Sequence, residues 1–137
     1  MATLTCRIVR PDKLMYEGEI ASIVLIAKTG ELGVYPGHAS EICALGDGVM
    51  RITHTQDKGG DLRGIIVSGG YAEIANDTVV VIADHARAVD DIDPERVKEV
   101  YDEAKEQRDA LQEGDHARVF YQNKMDWCDL LLKNAQQ

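Results

Sequence analysis

The stretch GELGVYPGHAS, residues 30 to 40, holds one carboxylate and one imidazole among three glycines and a proline. Glu31 and His38 are residue types used in general acid–base chemistry, and glycines let a backbone close around a ligand. The other reactive candidates are Ser68, which precedes Gly69-Gly70, and the histidines His54, His85 and His116. Acyl transfer from a G-x-S-x-G elbow needs a glycine two residues before the serine, where Ile66 stands. There is no G-x-x-x-x-G-K-[ST] phosphate loop and no H-E-x-x-H helix. The four histidines share no paired spacing, so a metal would need ligands from separate strands. Asp84-His85 reads as surface punctuation closing a strand, because adjacent strand residues point to opposite faces. Ser68-Gly69-Gly70 reads as a sharp strand-to-strand turn, for which glycine is the default. GELGVYPGHAS is thus left without catalytic neighbours. Its glycines and Pro36 supply turn geometry, and Glu31 and His38 remain on an ordered loop suited to docking.

Positioning such a loop takes a scaffold, and 137 residues allow one domain or a small domain with an appendage. Hydrophobic residues make up 45% and charged residues 28%, with one Trp and one Phe, so the expected core is aliphatic. A formal charge of −9 argues against a nucleic-acid partner, which would need clustered Lys and Arg. No apolar run approaches the roughly 18 residues of a spanning helix, and MATLTCRIV has no signal-peptide pattern. The expectation is a chain that does not itself enter a membrane. Cys6, Cys43 and Cys128 form no C-x-x-C pair and read as reduced, partly buried thiols of a cytosolic protein.

The first 88 residues read as β-structure. Short runs recur at 4–9, 20–27, 32–35, 41–45, 49–55, 62–68, 71–75 and 78–84. They are separated by turn chemistry at Pro11-Asp12, Gly18, Gly30, Pro36-Gly37, Gly46-Asp47-Gly48, Gly59-Gly60, Gly69-Gly70 and Asn76-Asp77. Many short strands without helical period predict a sandwich or flattened barrel. IASIVLIA and TVVVIAD, apolar at both parities, are expected to lie centrally. From residue 90 the pattern is helical, with Asp93 as cap, Pro94 at the first position and acidic residues in the first turn. Val97, Val100, Tyr101, Ala104, Arg108 and Leu111 form one stripe. Gly114 ends that helix and Asp115 caps the next, whose stripe is Ala117, Phe120, Tyr121, Met125, Cys128, Leu131, Leu132 and Ala135. The expected architecture is a β-domain over 1–88 and a hinge with an antiparallel helical hairpin over 89–137, the hinge being HARAVDDI, 85–92. Residues 1–89 carry 8 basic and 11 acidic groups, net −3, while 90–137 carry 7 and 13, net −6.

GELGVYPGHA, SGGYAEI (68–74), VVVIAD (79–84) and DIDPERV (91–97), in that order before a helical hairpin, resemble the epsilon subunit of bacterial and chloroplast F-type ATP synthases. The resemblance covers essentially the whole chain. It implies a ten-stranded β-sandwich followed by two C-terminal helices, and a non-catalytic place in the rotor that couples proton-driven rotation to ATP synthesis. The implied partners are the gamma subunit and the polar loops of the c-ring, with the alpha and beta subunits reached by an extended hairpin that restrains ATP hydrolysis. The implied location is peripheral, on the cytoplasmic face of the bacterial plasma membrane. Glu31 matches a glutamate that approaches the c-ring, His38 matches a histidine near gamma, and Tyr35 and Pro36 belong to the same docking loop. Ile92, Asp93 and Arg96 match part of the I-D-x-x-R-A motif of members that bind ATP. The chain departs from the family at Ser40, Glu41 and Ile42, at Val97 in place of the motif's alanine, and at Glu103 and Asp126, where arginines would hold phosphate. No cofactor is expected, with ATP at most a weak regulatory ligand. The competing readings are a free-standing nucleotide or small-molecule sensor with a mobile hairpin, and a small β-fold enzyme with a metal at the histidines.

Overall fold

The computed structural model describes residues 2–55 and 64–135, and the chain divides into two compact units, Met1–Ala88 and Val89–Gln137. The first holds β1 (Leu4–Arg10), β2 (Lys13–Ile20), β3 (Ser22–Ala27), β4 (Gly30–Val34), β5 (Glu41–Ala44), β6 (Asp47–Thr53), β7 (Gly64–Ala75) and β8 (Thr78–Ala88). The strand order is β2-β1-β8-β7-β6-β3-β4, and β5 also pairs with β7. The β1–β8 pair is parallel and the other pairs are antiparallel.

The long β7–β8 hairpin organises this unit. It starts at Asn76 and Asp77, both at positive φ (52° and 58°), the geometry of a type I′ hairpin turn. The ladder then runs from Ala75↔Thr78 to Ile65↔Ala88, with a break between Gly70↔Ala83 and Ser68↔His85. At that break Gly69 and Gly70 take φ values of 71° and 105°. On one side of the break, 64–68 of β7 pairs with β6, and on the other, 71–74 pairs with β5. β1 joins only the 78–82 arm of β8. One sheet is thereby folded into a sandwich. Its first layer is β4, β3, β6 and the 64–68 and 85–88 arms; its second is β2, β1, the 78–83 and 70–75 arms, and β5.

Alternation supplies the core between the layers. Leu4, Cys6 and Ile8 of β1, Val79, Val81 and Ala83 of β8, and Ala72 and Ile74 of β7 are buried in one cluster with Ile23, Leu25, Val34, Met50, Ile65 and Val67. Every buried core residue among those described is aliphatic or sulfur-bearing, as the composition requires. Burial pushes the Cys6 thiol up to about 12, so it behaves as a packed apolar group.

Several expectations change. The described residues hold eight strands rather than ten. GIIVS (64–68) of the first run and YAEIA are parts of one strand, so Gly69-Gly70 is a bend inside β7 and not a turn. Asp84-His85 likewise lies within β8, which continues through 85–88 and displaces the expected hinge. KLMYEGEI is a strand missed by the sequence reading, with Gly18 inside it opposite Cys6. Its polar, glutamate-rich composition suits an edge strand paired on one side. IASIVLIA splits, Ile20 ending β2 and Ser22 opening β3. TVVVIAD is central, yet one face is open: Val79, Val81 and Ala83 are buried whereas Ile82 is 36% exposed. The expected Gly59-Gly60 turn and the first residues of LRGIIVS lie outside the described residues.

The second unit begins with a single 3-10 turn at Val89–Asp91, then α1 (Pro94–Asp109) and α2 (Ala117–Ala135). Asp93 Oδ1 accepts the N–H groups of Glu95 and Arg96 at 3.1 and 3.4 Å, and Asp115 Oδ1 accepts that of Ala117 at 2.9 Å. Both caps match expectation. α1 ends earlier than expected, at Asp109, with Ala110 as its C-cap. Arg118 closes that end by donating to the carbonyl oxygens of Arg108 and Leu111, each at 2.8 Å. Val97 and Ala104 of α1 and Met125, Cys128 and Leu131 of α2 are buried. Phe120, expected in the stripe, is 61% exposed, because Arg118 occupies the inward-facing position of that first turn.

Gly70 is the residue least open to replacement. A Cβ there would overlap the Ile82 carbonyl oxygen and lie 2.8 Å from Ala83 Cα, on a φ that L-residues avoid. Gly70→Ala is expected to cost about 3 kcal/mol or more, read as a lower urea midpoint; an unchanged midpoint would mean that the ladder moves aside easily.

Candidate functional site

The loop expected to dock a partner, Tyr35 to His38, is built on a proline–glycine turn. His38 N–H donates to the Tyr35 carbonyl at 3.1 Å, with Pro36 and Gly37 (φ 89°) at the two central positions of a type II turn. The Gly37 N–H points away from that turn and donates to Asp77 Oδ1 at 2.7 Å. The loop is therefore tied to the β7–β8 hairpin turn, forty positions along the chain. His38 Nδ1 lies 2.7 Å from the Ala39 carbonyl oxygen, and Nε2 lies 3.5 Å from Glu41 Oε1. Tyr35 stands 63% exposed at the loop's start.

An open apolar surface begins directly after the loop. Ile42 on β5 is 69% exposed and Tyr71 on β7 is 46% exposed. Tyr71 is register partner to Ala44 on one side and Ile82 on the other, and Ile82 pairs in turn with Val9. These side chains share the outer face of the second layer. Outward alternation would ordinarily place polar groups there.

Glu31 sits elsewhere. It lies near the start of β4, and β4 carries the chain roughly 10 Å onward before the Tyr35 to His38 loop begins. Arg51 of β6 holds it from across β3, Nη1 to Oε2 at 2.9 Å and Nη2 to Oε1 at 3.0 Å. These hydrogen bonds, and then the guanidinium charge, lower the Glu31 carboxyl below the ordinary glutamate range. The structure thus joins Tyr35, Pro36 and His38 in one loop and leaves Glu31 as a second, separate feature.

Ile92, Asp93 and Arg96 stay together at the start of α1, where Asp93 is the cap and Arg96 pairs with Glu99 at 3.2 Å. The shallow depression along α1, lined by Glu103, Glu106, Gln107 and Ala110, carries two carboxylates.

Comparison with known proteins locates this geometry in a family. Residues 3–89 match the family model described as ATP synthase, Delta/Epsilon chain, beta-sandwich domain. The ATP synthase epsilon chain of Microcystis aeruginosa is 33% identical over 125 residues, covering 91% of this chain and 88% of its own. That of Leptospira borgpetersenii is 37% identical over 95 residues, covering 69% and 72%. The chain belongs to the ATP synthase delta/epsilon family. Among solved structures, a chain of the Euglena gracilis mitochondrial ATP synthase superposes with a TM-score of 0.71 at 23% identity, covering all of this chain and 83% of its own. A chain of the Tetrahymena thermophila mitochondrial enzyme gives 0.57 at 14%, covering 96% of each. Both share the fold.

Epsilon-type chains are structural and regulatory subunits. Asp47, Ser68 and His85 fall in one cross-strand row on β6, β7 and β8. The Ser68 hydroxyl donates to Asp47 Oδ1 at 2.6 Å, tying β7 to β6. Among the described residues no group of three or more His, Cys, Asp and Glu could hold a metal. No helix among them is long and apolar enough to cross a membrane.

Sequence reasoning missed the contacts made by Arg51 and Asp77 and the outward patch of Ile42, Tyr71 and Ile82. None has a local signal, since each depends on which strands become neighbours. Asp77 offers the cleaner test, because glycine tolerates its positive φ and asparagine keeps its acceptor. Asp77→Gly is expected to release the Gly37 amide to fast hydrogen exchange and to cost about 1 kcal/mol, while Asp77→Asn keeps most of the protection. Equal protection of Gly37 in all three proteins would show that the turn needs no tether.

Proposed function

We propose that this chain is the epsilon-type subunit of the central rotor of a proton-translocating ATP synthase, coupling rotation to ATP synthesis without chemistry of its own. The observation that carries this reading is the outward patch of Ile42, Tyr71 and Ile82, on the same face as Glu73, beside a tethered, tyrosine-bearing loop. Such a surface on a rigid β-scaffold suits a long-lived protein contact. In this reading the loop at Tyr35, Pro36 and His38, with that patch, receives the gamma subunit, and Glu31 meets the polar loops of the c-ring. The separation of the two features by β4 supports two partners rather than one. The ten strands of the family correspond to the eight found here with the arms of β7 and β8 counted apart, five segments to a layer. The assembly would sit peripherally on the cytoplasmic face of a bacterial plasma membrane.

The hairpin is assigned the regulatory role, reaching toward the alpha and beta subunits. Its charge argues for a weak brake on hydrolysis. From Asp115 to Gln137, Arg118, Lys124 and Lys133 are matched in number by Asp115, Asp126 and Asp129, and Arg118 is held on the carbonyls of Arg108 and Leu111. A helix of balanced charge gains little steering toward an acidic partner. A chain ending at Ala88 is expected to bind gamma as the full chain does and to change hydrolysis by the assembled enzyme little. Loss of gamma binding on truncation would contradict the assignment of docking to the sandwich. A large rise in hydrolysis would show that apolar contacts, not charge, hold the brake.

ATP is expected to bind weakly or not at all. Phosphate recognition favours several charge-assisted donors, whereas Asp93 is engaged as a cap and Arg96 in an ion pair with Glu99. Titration calorimetry at millimolar ATP should show no saturable heat; a tight isotherm would overturn this view of the helix.

A further inference from the structure

The Glu31–Arg51 pair is built differently from an ordinary surface ion pair. Its residues lie on β4 and β6, both bonded to the intervening strand β3. Glu31 is the register partner of Ile26 and Arg51 that of Val24, so both side chains emerge on one face two residues apart along β3. The β3 residues between them on that face, Val24 and Ile26, carry no charge. The fork is bidentate, at 2.9 and 3.0 Å, although the side chains are 57% and 53% exposed.

Two consequences follow for anything that docks on Glu31. A free glutamate on a rim samples many rotamers and must lose that freedom on binding. The arginine fork, anchored on a different strand, removes it beforehand. The fork also changes what Glu31 attracts. A cation arriving at the carboxylate is repelled by a guanidinium only a few Å farther off, so much of its Coulomb gain cancels. Each carboxylate oxygen has two acceptor sites and gives one to Arg51, leaving one on each for a further donor.

We propose that Arg51 is a positioning residue for Glu31, presenting the carboxylate as a neutralised, oriented acceptor whose partner group is a neutral hydrogen-bond donor, an amide or hydroxyl of a polar loop, rather than a cation. The proposal rests on the reading of Glu31 as the c-ring contact, and it names the chemistry of that contact.

The test measures binding of the full-length chain to a purified gamma–c-ring complex across salt, for the native protein, Glu31→Gln, Arg51→Gln and the double variant. Each single variant is expected to weaken binding roughly fivefold, and the double to be no weaker than Glu31→Gln. Native affinity should change little between about 0.05 and about 0.3 M salt. Carbon NMR of the free chain should show the Glu31 titration moving up toward the ordinary glutamate range in Arg51→Gln, with the remaining spectrum unchanged. That reports loss of the fork in a folded protein. If Arg51→Gln binds as the native chain does while Glu31→Gln is weakened, the positioning role is wrong and the c-ring reading stands. If Glu31→Gln binds normally, the c-ring reading of Glu31 fails and this proposal fails with it. A double variant weaker than either single would show Arg51 making its own contact. A steep loss of native affinity with salt that Glu31→Gln abolishes would identify a cationic partner and overturn the neutral-donor assignment.

Discussion

Everything in the β-unit depends on the close backbone approach at Gly69 and Gly70. Two strands of eleven and twelve residues would ordinarily extend as one twisted ribbon. Here the paired ribbon bends where β7 has no side chain and can take positive φ. The bend lets a single strand hand its outer edge from β6 to β5. It also lets β1 pair with one arm of β8 while the other arm stays in the first layer. The aliphatic core is the space enclosed by that fold-over. A methyl group at Gly70 meets the carbonyl of Ile82, so the constraint is steric and local even though its effect is global.

The candidate surface features are consequences of that closure. Tyr35 to His38 lie on the turn after β4, and Asp77 lies on the turn that starts the bent ribbon. Their hydrogen bond links the two layers at one end of the sandwich. The open patch on the second layer follows from the same geometry, since β5, β7 and β8 present Ile42, Tyr71 and Ile82 on the side away from the core. Arg51 reaches Glu31 because β3 lies between their strands. These surface features therefore rest on strand neighbours more than on any local motif.

The hairpin follows a different logic. Its ends are satisfied by its own residues: Asp93 and Asp115 at the starts of the helices, and Arg118 at the end of α1. Packing uses five buried side chains of modest size. Helices of sixteen and nineteen residues are near the length at which isolated helices are marginal in water. The unit also carries two-thirds of the net negative charge, which opposes compaction through self-repulsion. Such moderate stability suits the regulatory role proposed for the hairpin.

The sequence by itself determined the grammar of both units: alternating short runs before residue 88, helical period and caps after it, an aliphatic core, and no constellation for catalysis. Those signals are local, arising from side-chain periodicity, proline and glycine conformations and capping chemistry, and they could be read without knowing any neighbour. Four quoted stretches in order were also enough to recognise the family. Tertiary structure decided the rest. It turned Gly69-Gly70 from a turn into a bend, because a glycine pair serves either use and only the pairing of β7 with both β5 and β6 distinguishes them. It made KLMYEGEI a strand, since an edge strand draws its stability from the ladder to β1 rather than from its own composition. It exposed Phe120 and turned Arg118 onto the carbonyls of Arg108 and Leu111, because helix-end carbonyls needed a donor there. Above all it paired Glu31 with Arg51 and Gly37 with Asp77, contacts that exist only once register places distant residues on one face.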